Sequence, residues 1–179
     1  MPQIEIRPTY ENDVAILSAI NHSIETCYVW QMSRFVEVGQ IAINFREIRL
    51  PRSVKVEYPK TPEFNINDDP RQLALLTAIM SDIPVGYLRL SNHYAPDSPI
   101  ITDLVISQSA RRQGIASALV LSAQDWLLTR KYKRVVLEMQ SKNFPGICFA
   151  KKNGFEFCGY NDYYYENKDI ALFFARSLR

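Results

Sequence analysis

Six residues in a row, Arg111, Arg112, Gln113, Gly114, Ile115 and Ala116, stand inside the stretch ARRQGIASALV, just before an amphipathic run. A glycine at a strand-to-helix turn lets the backbone approach a ligand closely. The N–H groups of such a turn and of the first helical turn have no intrahelical partner, and together with the helix dipole they make an anion site. Phosphate is the natural guest. The stretch is neither a dinucleotide fingerprint, which needs G-x-G-x-x-G, nor a P-loop, which needs G-x-x-x-x-G-K-S/T. Cys27, Cys148 and Cys158 carry no comparable signal: they are odd in number, lack C-x-x-C spacing and have no histidine at ligand spacing. They read as reduced core residues, with neither a disulfide framework nor a metal site expected.

A phosphate cradle needs a rigid frame, and the flanking sequence supplies one. Ile115, Ala118, Leu119, Ser122, Ala123 and Trp126 follow the spacing that buries one helical face against a sheet. PIITDLVIS, before the loop, and RVVLEMQ, after the helix, read as strands, and PGICFAKKN reads as a short helix with Pro145 in its first turn and Gly154 beyond its end. Upstream, QIEIRP reads as a strand, and ENDVAILSAINHSIE as a helix with Val14, Leu17, Asn21 and Ile24 near one face and Asn12 or Asp13 as cap. SIETCYVWQMSRF, apolar without clear periodicity, is a second helix or a loop over a pocket. QIAINFREIRL reads as a strand and PRSVKVEYPKTPEFNINDDP as an extended connection. RQLALLTAIMSDIPVGYLRLSNHY is a hairpin around SDIP, and the tail DYYYENKDIALFFARSL supplies one or two closing strands.

The 179 residues are 47% hydrophobic and 22% charged, which suits one globular domain spanning 1–179. No run approaches the roughly 18 apolar residues of a spanning helix, and the start lacks a secretory pattern, so a cytoplasmic protein without a membrane role is expected. The net charge of +2 is too small to point to nucleic acid. Its distribution is uneven: residues 101–160 hold nine Lys/Arg against four Asp/Glu, while residues 1–100 hold nine against twelve. That pattern suits an anionic ligand on the later part and a cationic one on the earlier, or two solvated surfaces.

LVISQSARRQGIASALV followed by VVLEMQSKNFPGICFAKKNGFEFCGY resembles the GNAT superfamily of acyl-CoA-dependent N-acyltransferases in spacing and order. The family loop reads Arg or Gln, two residues, Gly, one residue, Gly or Ala, which Arg111 to Ala116 match. Its later helix begins at Asn and ends in Lys-x-Gly-Phe, as Asn143 to Phe155 do. Within the family, ITDLVIS, VVLEMQSKN and the tyrosine-rich ending are most similar to streptothricin-type antibiotic acetyltransferases. The resemblance implies an α/β fold: a twisted, mostly antiparallel mixed sheet of six to seven strands with a parallel splayed pair and about four flanking helices. It also implies acetyl-CoA as cofactor, a small cationic amine as acceptor, direct attack in a ternary complex and a possible homodimer. An acyl-CoA-binding regulatory or sensor domain is the alternative.

Carried onto this chain, the resemblance assigns Leu104, Val105 and Ile106 to the pantetheine arm, Arg111, Arg112, Gln113, Gly114, Ile115, Ala116 and Ser117 to the pyrophosphate, and Asn143 and Phe149 to the cofactor's far side. An alkylamine with a pKa near 10.4 must lose a proton before attack, so a carboxylate base is expected. Asp103, on the strand entering the loop, is the first candidate, and Glu138, on the neighbouring strand, the second. Glu25, Tyr28 and Trp30 lie where the family builds its acceptor wall. One departure stands out: most members carry a tyrosine acid where this chain has Ala150. That position is expected to look toward the cofactor sulfur, with Tyr163, Tyr164 or Tyr165 as substitutes if the tail folds over it.

Overall fold

Nine strands and three α-helices make up the computed structural model, which describes residues 3–64, 66 and 69–179. In chain order they are β1 (Ile4–Pro8), α1 (Glu11–Ser18), β2 (Ile24–Glu37), β3 (Gln40–Val56), β4 (Gln72–Met80) and β5 (Ile83–Ala95). Next come β6 (Ser98–Ile106), α2 (Ile115–Thr129), β7 (Arg134–Gln140), α3 (Phe144–Lys152), β8 (Glu156–Asn161) and β9 (Ala171–Ser177). Seven strands form one sheet in the order β1-β4-β5-β6-β7-β9-β8, antiparallel except for the parallel pair β6–β7. This is the mixed α/β architecture the sequence led us to expect, with three α-helices among the described residues rather than about four.

The difference lies between residues 19 and 37. The helix ends at Ser18, where Asn21 folds back to accept from the Ser23 amide at 3.0 Å. Asn21 and Ile24 therefore leave the helical face, and SIETCYVWQMSRF becomes β2, paired with β3 from Ile24–Val56 to Glu37–Gln40. Ile24, Thr26 and Val29 are β-branched and prefer extended backbone. What the local sequence does not display is the partner that turns this preference into a ladder. The β3 strand also runs on through Pro51 to Val56, into what reads as a loop.

Alternation along the central strands sorts the core onto two faces. Leu88, Leu90, Ile101, Leu137 and Phe174 meet α2 and α3, through Ile115, Leu119, Ala123, Ile147 and Ala150. Tyr87 and Val105 meet Leu17 of α1 on the opposite face. Ser81 and Asp82 both take positive φ, 49° and 63°, as a two-residue hairpin between β4 and β5 requires. All three cysteines are free and exposed rather than buried as expected, because each falls on an outward position of its element. No helix among the described residues is long and apolar enough to cross a membrane.

Candidate active site

The β6–β7 pair is short. The strands join at Ile100–Val136 and Ile101–Leu137 and then part. On its other side β6 pairs with β5 in a register that jumps from Asp103–Arg89 to Ile101–Leu90, leaving Thr102 as the extra residue of a bulge. A bulge bends its strand and re-aims the side chains beyond it. Here it sits where β6 leaves β7, so the wedge between the strands follows from one residue of local irregularity. Gly86 lets β5 stay close to the departing strand: a Cβ there would lie 2.6 Å from the Val105 carbonyl oxygen.

Two carboxylates flank the wedge, both on the face away from α2. Asp103, 8% exposed, accepts from the Tyr58 hydroxyl and from Thr102 Oγ1 at 2.9 Å, with Arg89 Nε 3.6 Å away. Glu138, whose side chain is 1% exposed, lies 2.7 Å from Lys60 Nζ through Oε1 and accepts from Tyr164 Oη at 3.2 Å through Oε2. Lys60 also donates to the Thr102 carbonyl at 2.7 Å, the group exposed by the bulge. Tyr165 is buried beside them. Burial, and then the negative charge of Glu138, push the Tyr164 and Tyr165 hydroxyls well above their usual pKa, so both stay protonated. Tyr58 is held up likewise by burial and by Asp103.

A cavity of about 80 Å³ opens in the wedge, lined by Tyr58, Lys60, Leu104, Glu138, Asn143 and Phe149 among others. A second, of about 240 Å³, opens beside it and is lined by Asp69, Arg71, Arg89, His93, Asp103 and Tyr164. Lys60, Thr102 and Glu138 line both cavities.

At the end of β6 the chain makes one 3₁₀ turn, Gln108–Ala110, and enters α2 through Gly114, whose φ of +84° a side chain would strain. A Cβ on Gly114 would meet nothing within 4 Å, so the surface over it is open. Ile115, Ala116 and Ser117 are the first helical residues, and their amides have no intrahelical acceptor within reach. The Arg111 side chain turns inward instead: Nε donates to Ile106 O at 3.0 Å, and Nη2 to Ser23 O at 3.1 Å and Asn21 O at 3.3 Å. Arg111 thus fastens the loop to the turn before β2, while Arg112 and Gln113 remain exposed. Ser117 Oγ donates to Asn153 Oδ1 at 3.2 Å, tying the start of α2 to the end of α3.

The fold therefore brings Leu104, Glu138, Asn143 and Phe149 to one cavity and Asp103 to the other, which shares Glu138 with it, with the Gly114 turn beyond the end of β6. Asn143 caps α3 by accepting from the Gly146 amide at 2.9 Å. Glu25, Tyr28 and Trp30 are not brought to either cavity. Glu25 is exposed on β2 opposite Lys55, Tyr28 packs 5.1 Å from Phe144, and Trp30 joins Phe45, Phe157 and Phe174 with Lys151 4.6 Å above its ring. Ala150 has no exposed surface and packs in the main core, so the free space expected there is filled. Tyr163 is 71% exposed, whereas Tyr164 and Tyr165 reach Glu138. Tyr58, Lys60, Tyr87 and His22 escape the sequence reading. The first two lie in the proline-rich EYPK segment, where no period marks a direction, and His22 lies in a turn, bonded to Tyr87 Oη at 2.9 Å.

A model of the acetyltransferase (GNAT) family matches residues 36–155. Streptothricin acetyltransferase of Escherichia coli is 28% identical over 102 residues, which is 57% of this chain and 58% of that relative's length. The crystal structure of nourseothricin acetyltransferase superposes with a TM-score of 0.82 at 19% identity, covering 98% of this chain and 99% of that one. A Bacillus anthracis str. Ames protein provisionally assigned as a streptothricin acetyltransferase, in complex with acetyl coenzyme A, gives 0.79 at 19% identity and 99% of both chains. At those identities the two superpositions speak for the fold.

Proposed function

Because the chain belongs to the acetyltransferase (GNAT) family, we propose that it transfers an acetyl group from acetyl-CoA to a primary amine of a small cationic acceptor, in a ternary complex. The observation that carries this reading is the β6–β7 wedge with an open, amide-rich helix start at one end and two buried carboxylates across its mouth. The surroundings of Gly114 and the free amides of Ile115, Ala116 and Ser117 fit a pyrophosphate. The edge of β6 at Leu104 fits the amide groups of a pantetheine arm, with Asn143 and Phe149 lining the same cavity. Acetyl-CoA supplies an activated thioester. This chain supplies alignment, a proton acceptor and a proton donor.

Glu138 is the better-placed base. Both carboxylates have partners, but the Asp103 oxygens accept from the neutral hydroxyls of Tyr58 and Thr102, whereas Glu138, bonded by Tyr164 through Oε2, turns Oε1 to an ammonium, that of Lys60, where the two cavities share their lining. An acceptor ammonium arriving there gives up its proton to Glu138 and becomes nucleophilic. Tyr165, buried in the wall of the wedge and held protonated, fits the donor for the departing sulfur in place of the family tyrosine that Ala150 lacks. The relatives named for streptothricin and nourseothricin make streptothricin the first acceptor to try. The exposed tip of the β2–β3 hairpin, Phe35, Val36, Val38 and Ile41, supports a second copy of this chain as a partner.

The experiment is free-thiol release from acetyl-CoA in the presence of streptothricin and a panel of simpler amines. Release that depends on the amine is expected. Tight acetyl-CoA binding without transfer to any amine would replace the enzyme reading with that of an acyl-CoA sensor.

A further inference from the structure

Lys60 stands in the place the acceptor needs. It belongs to the connection between β3 and β4, yet its ammonium reaches into the mouth of the wedge and lines both cavities. Three contacts fix it there: Glu138 Oε1 at 2.7 Å, the Thr102 carbonyl at 2.7 Å, and the Tyr165 ring at 5.8 Å. Its carboxylate partner is almost wholly buried, at 1% side-chain exposure, while Lys60 keeps 28%. The lysine at the surface of the same region is built differently: Lys55 pairs with Glu57, and both side chains are more than half exposed. A structural counterion for Glu138 need not be an amine. A primary amine held against the proposed base, inside the proposed thioester cavity, has every feature demanded of an acceptor.

We infer that Lys60 is an internal acceptor, so that the protein acetylates its own Lys60 when acetyl-CoA is bound and no outside amine has displaced the side chain. This rests on the function proposed above. In the step, the Lys60 ammonium gives one proton to Glu138, and the neutral nitrogen attacks the acetyl carbonyl carbon. The N–C bond forms and the C–S bond breaks. The second nitrogen proton and the thiolate are accounted for together as free thiol, by way of Tyr165 or water, and Glu138 returns its proton to solvent. The product is an uncharged amide at Lys60, which leaves Glu138 without its cation and the mouth of the wedge without its amine.

The test is incubation of the full chain with acetyl-CoA and no acceptor, followed by intact-mass and peptide mass spectrometry. One acetyl group per chain, located at Lys60, is expected. Lys60→Arg, which keeps a cation beside Glu138, must abolish it, and Glu138→Gln must slow it by about 10² to 10⁴-fold, the usual worth of a positioned base. A separate readout needs no turnover: CoA alone should shield Lys60 from trace labelling with acetic anhydride while leaving Lys131 and Lys168 unchanged. Thermal melts separate the possible failures. If acetyl-CoA raises the melting temperature but Lys60 is unmodified, or is modified no faster than Lys131 and without regard to Glu138, the inference is overturned and the proposed function stands. If acetyl-CoA causes no rise, both fall.

Discussion

At the scale of single residues, the two carboxylates have different surroundings and so different expected failures. Glu138→Gln removes the proton acceptor that faces the cavity junction. Turnover should drop by about 10² to 10⁴-fold near neutral pH and partly recover as pH rises and the amine deprotonates unaided. Asp103→Asn keeps one acceptor oxygen, for either Tyr58 or Thr102, replaces the other with a donor and leaves Arg89 without its charge partner, so its loss should be smaller and uniform across pH. Steady-state kinetics of both variants over pH decides the assignment, and a uniform loss in Glu138→Gln would reverse it. His22 offers a second pH effect, on stability. Burial holds its pKa below the ordinary value, against the opposing pull of Asp103 and with that of Arg111. Since the folded state prefers the neutral ring, the His22 contribution is complete above about pH 6.5, the unfolded value, and is lost as pH falls through the lower folded value. His22→Gln, which can still bond Tyr87, should flatten the fall in melting temperature below that pH. An unchanged fall would assign the effect to other groups.

At the scale of elements, the loop before α2 and the edge of β6 work as one part. Arg111 is the link, holding the end of β6 and the turn before β2 through three carbonyls. Its type and place are legible in the sequence, but its direction is not: an arginine beside a phosphate loop points equally well outward, and only the nearby carbonyls of Ile106, Asn21 and Ser23 turn it in. Gly114 makes the sharper test. The open space over it means that Gly114→Asp costs the fold about 1–2 kcal/mol, the strain of a side chain at positive φ. A new negative charge beside the free amides should weaken acetyl-CoA binding at least tenfold, read by calorimetry. Unchanged affinity would remove the pyrophosphate from this turn. The β2–β3 hairpin teaches the opposite lesson about legibility. Long-range pairing decides its conformation, and its strands carry no strict alternation because one end packs Trp30 into the core while the other is exposed on both faces.

At the scale of the whole molecule, a ligand that binds only the folded chain must stabilise it. Acetyl-CoA at about 100 times its dissociation constant should add roughly 2.7 kcal/mol, visible as a rise in melting temperature, and the absence of any rise would count against every cofactor assignment made above. The sequence by itself determined the strand-loop-helix unit around Gly114 and the short helix that begins near Pro145, because these rest on local period and on glycine and proline placement, which neighbouring residues settle among themselves; the α/β class came with the family resemblance that the same residues carry. It also named Asp103 and Glu138. Only the tertiary structure decided what surrounds them. The Thr102 bulge arises from the register of β5 against β6, and Tyr58, Lys60 and Tyr165 reach the carboxylates from 45, 78 and 27 positions away by chain folding that no spacing encodes. Ala150 shows the reason most plainly. Its place in the helix can be counted from Asn143, but which neighbours fill the space before it depends on how α3 packs against the sheet, and that packing buries it in the core.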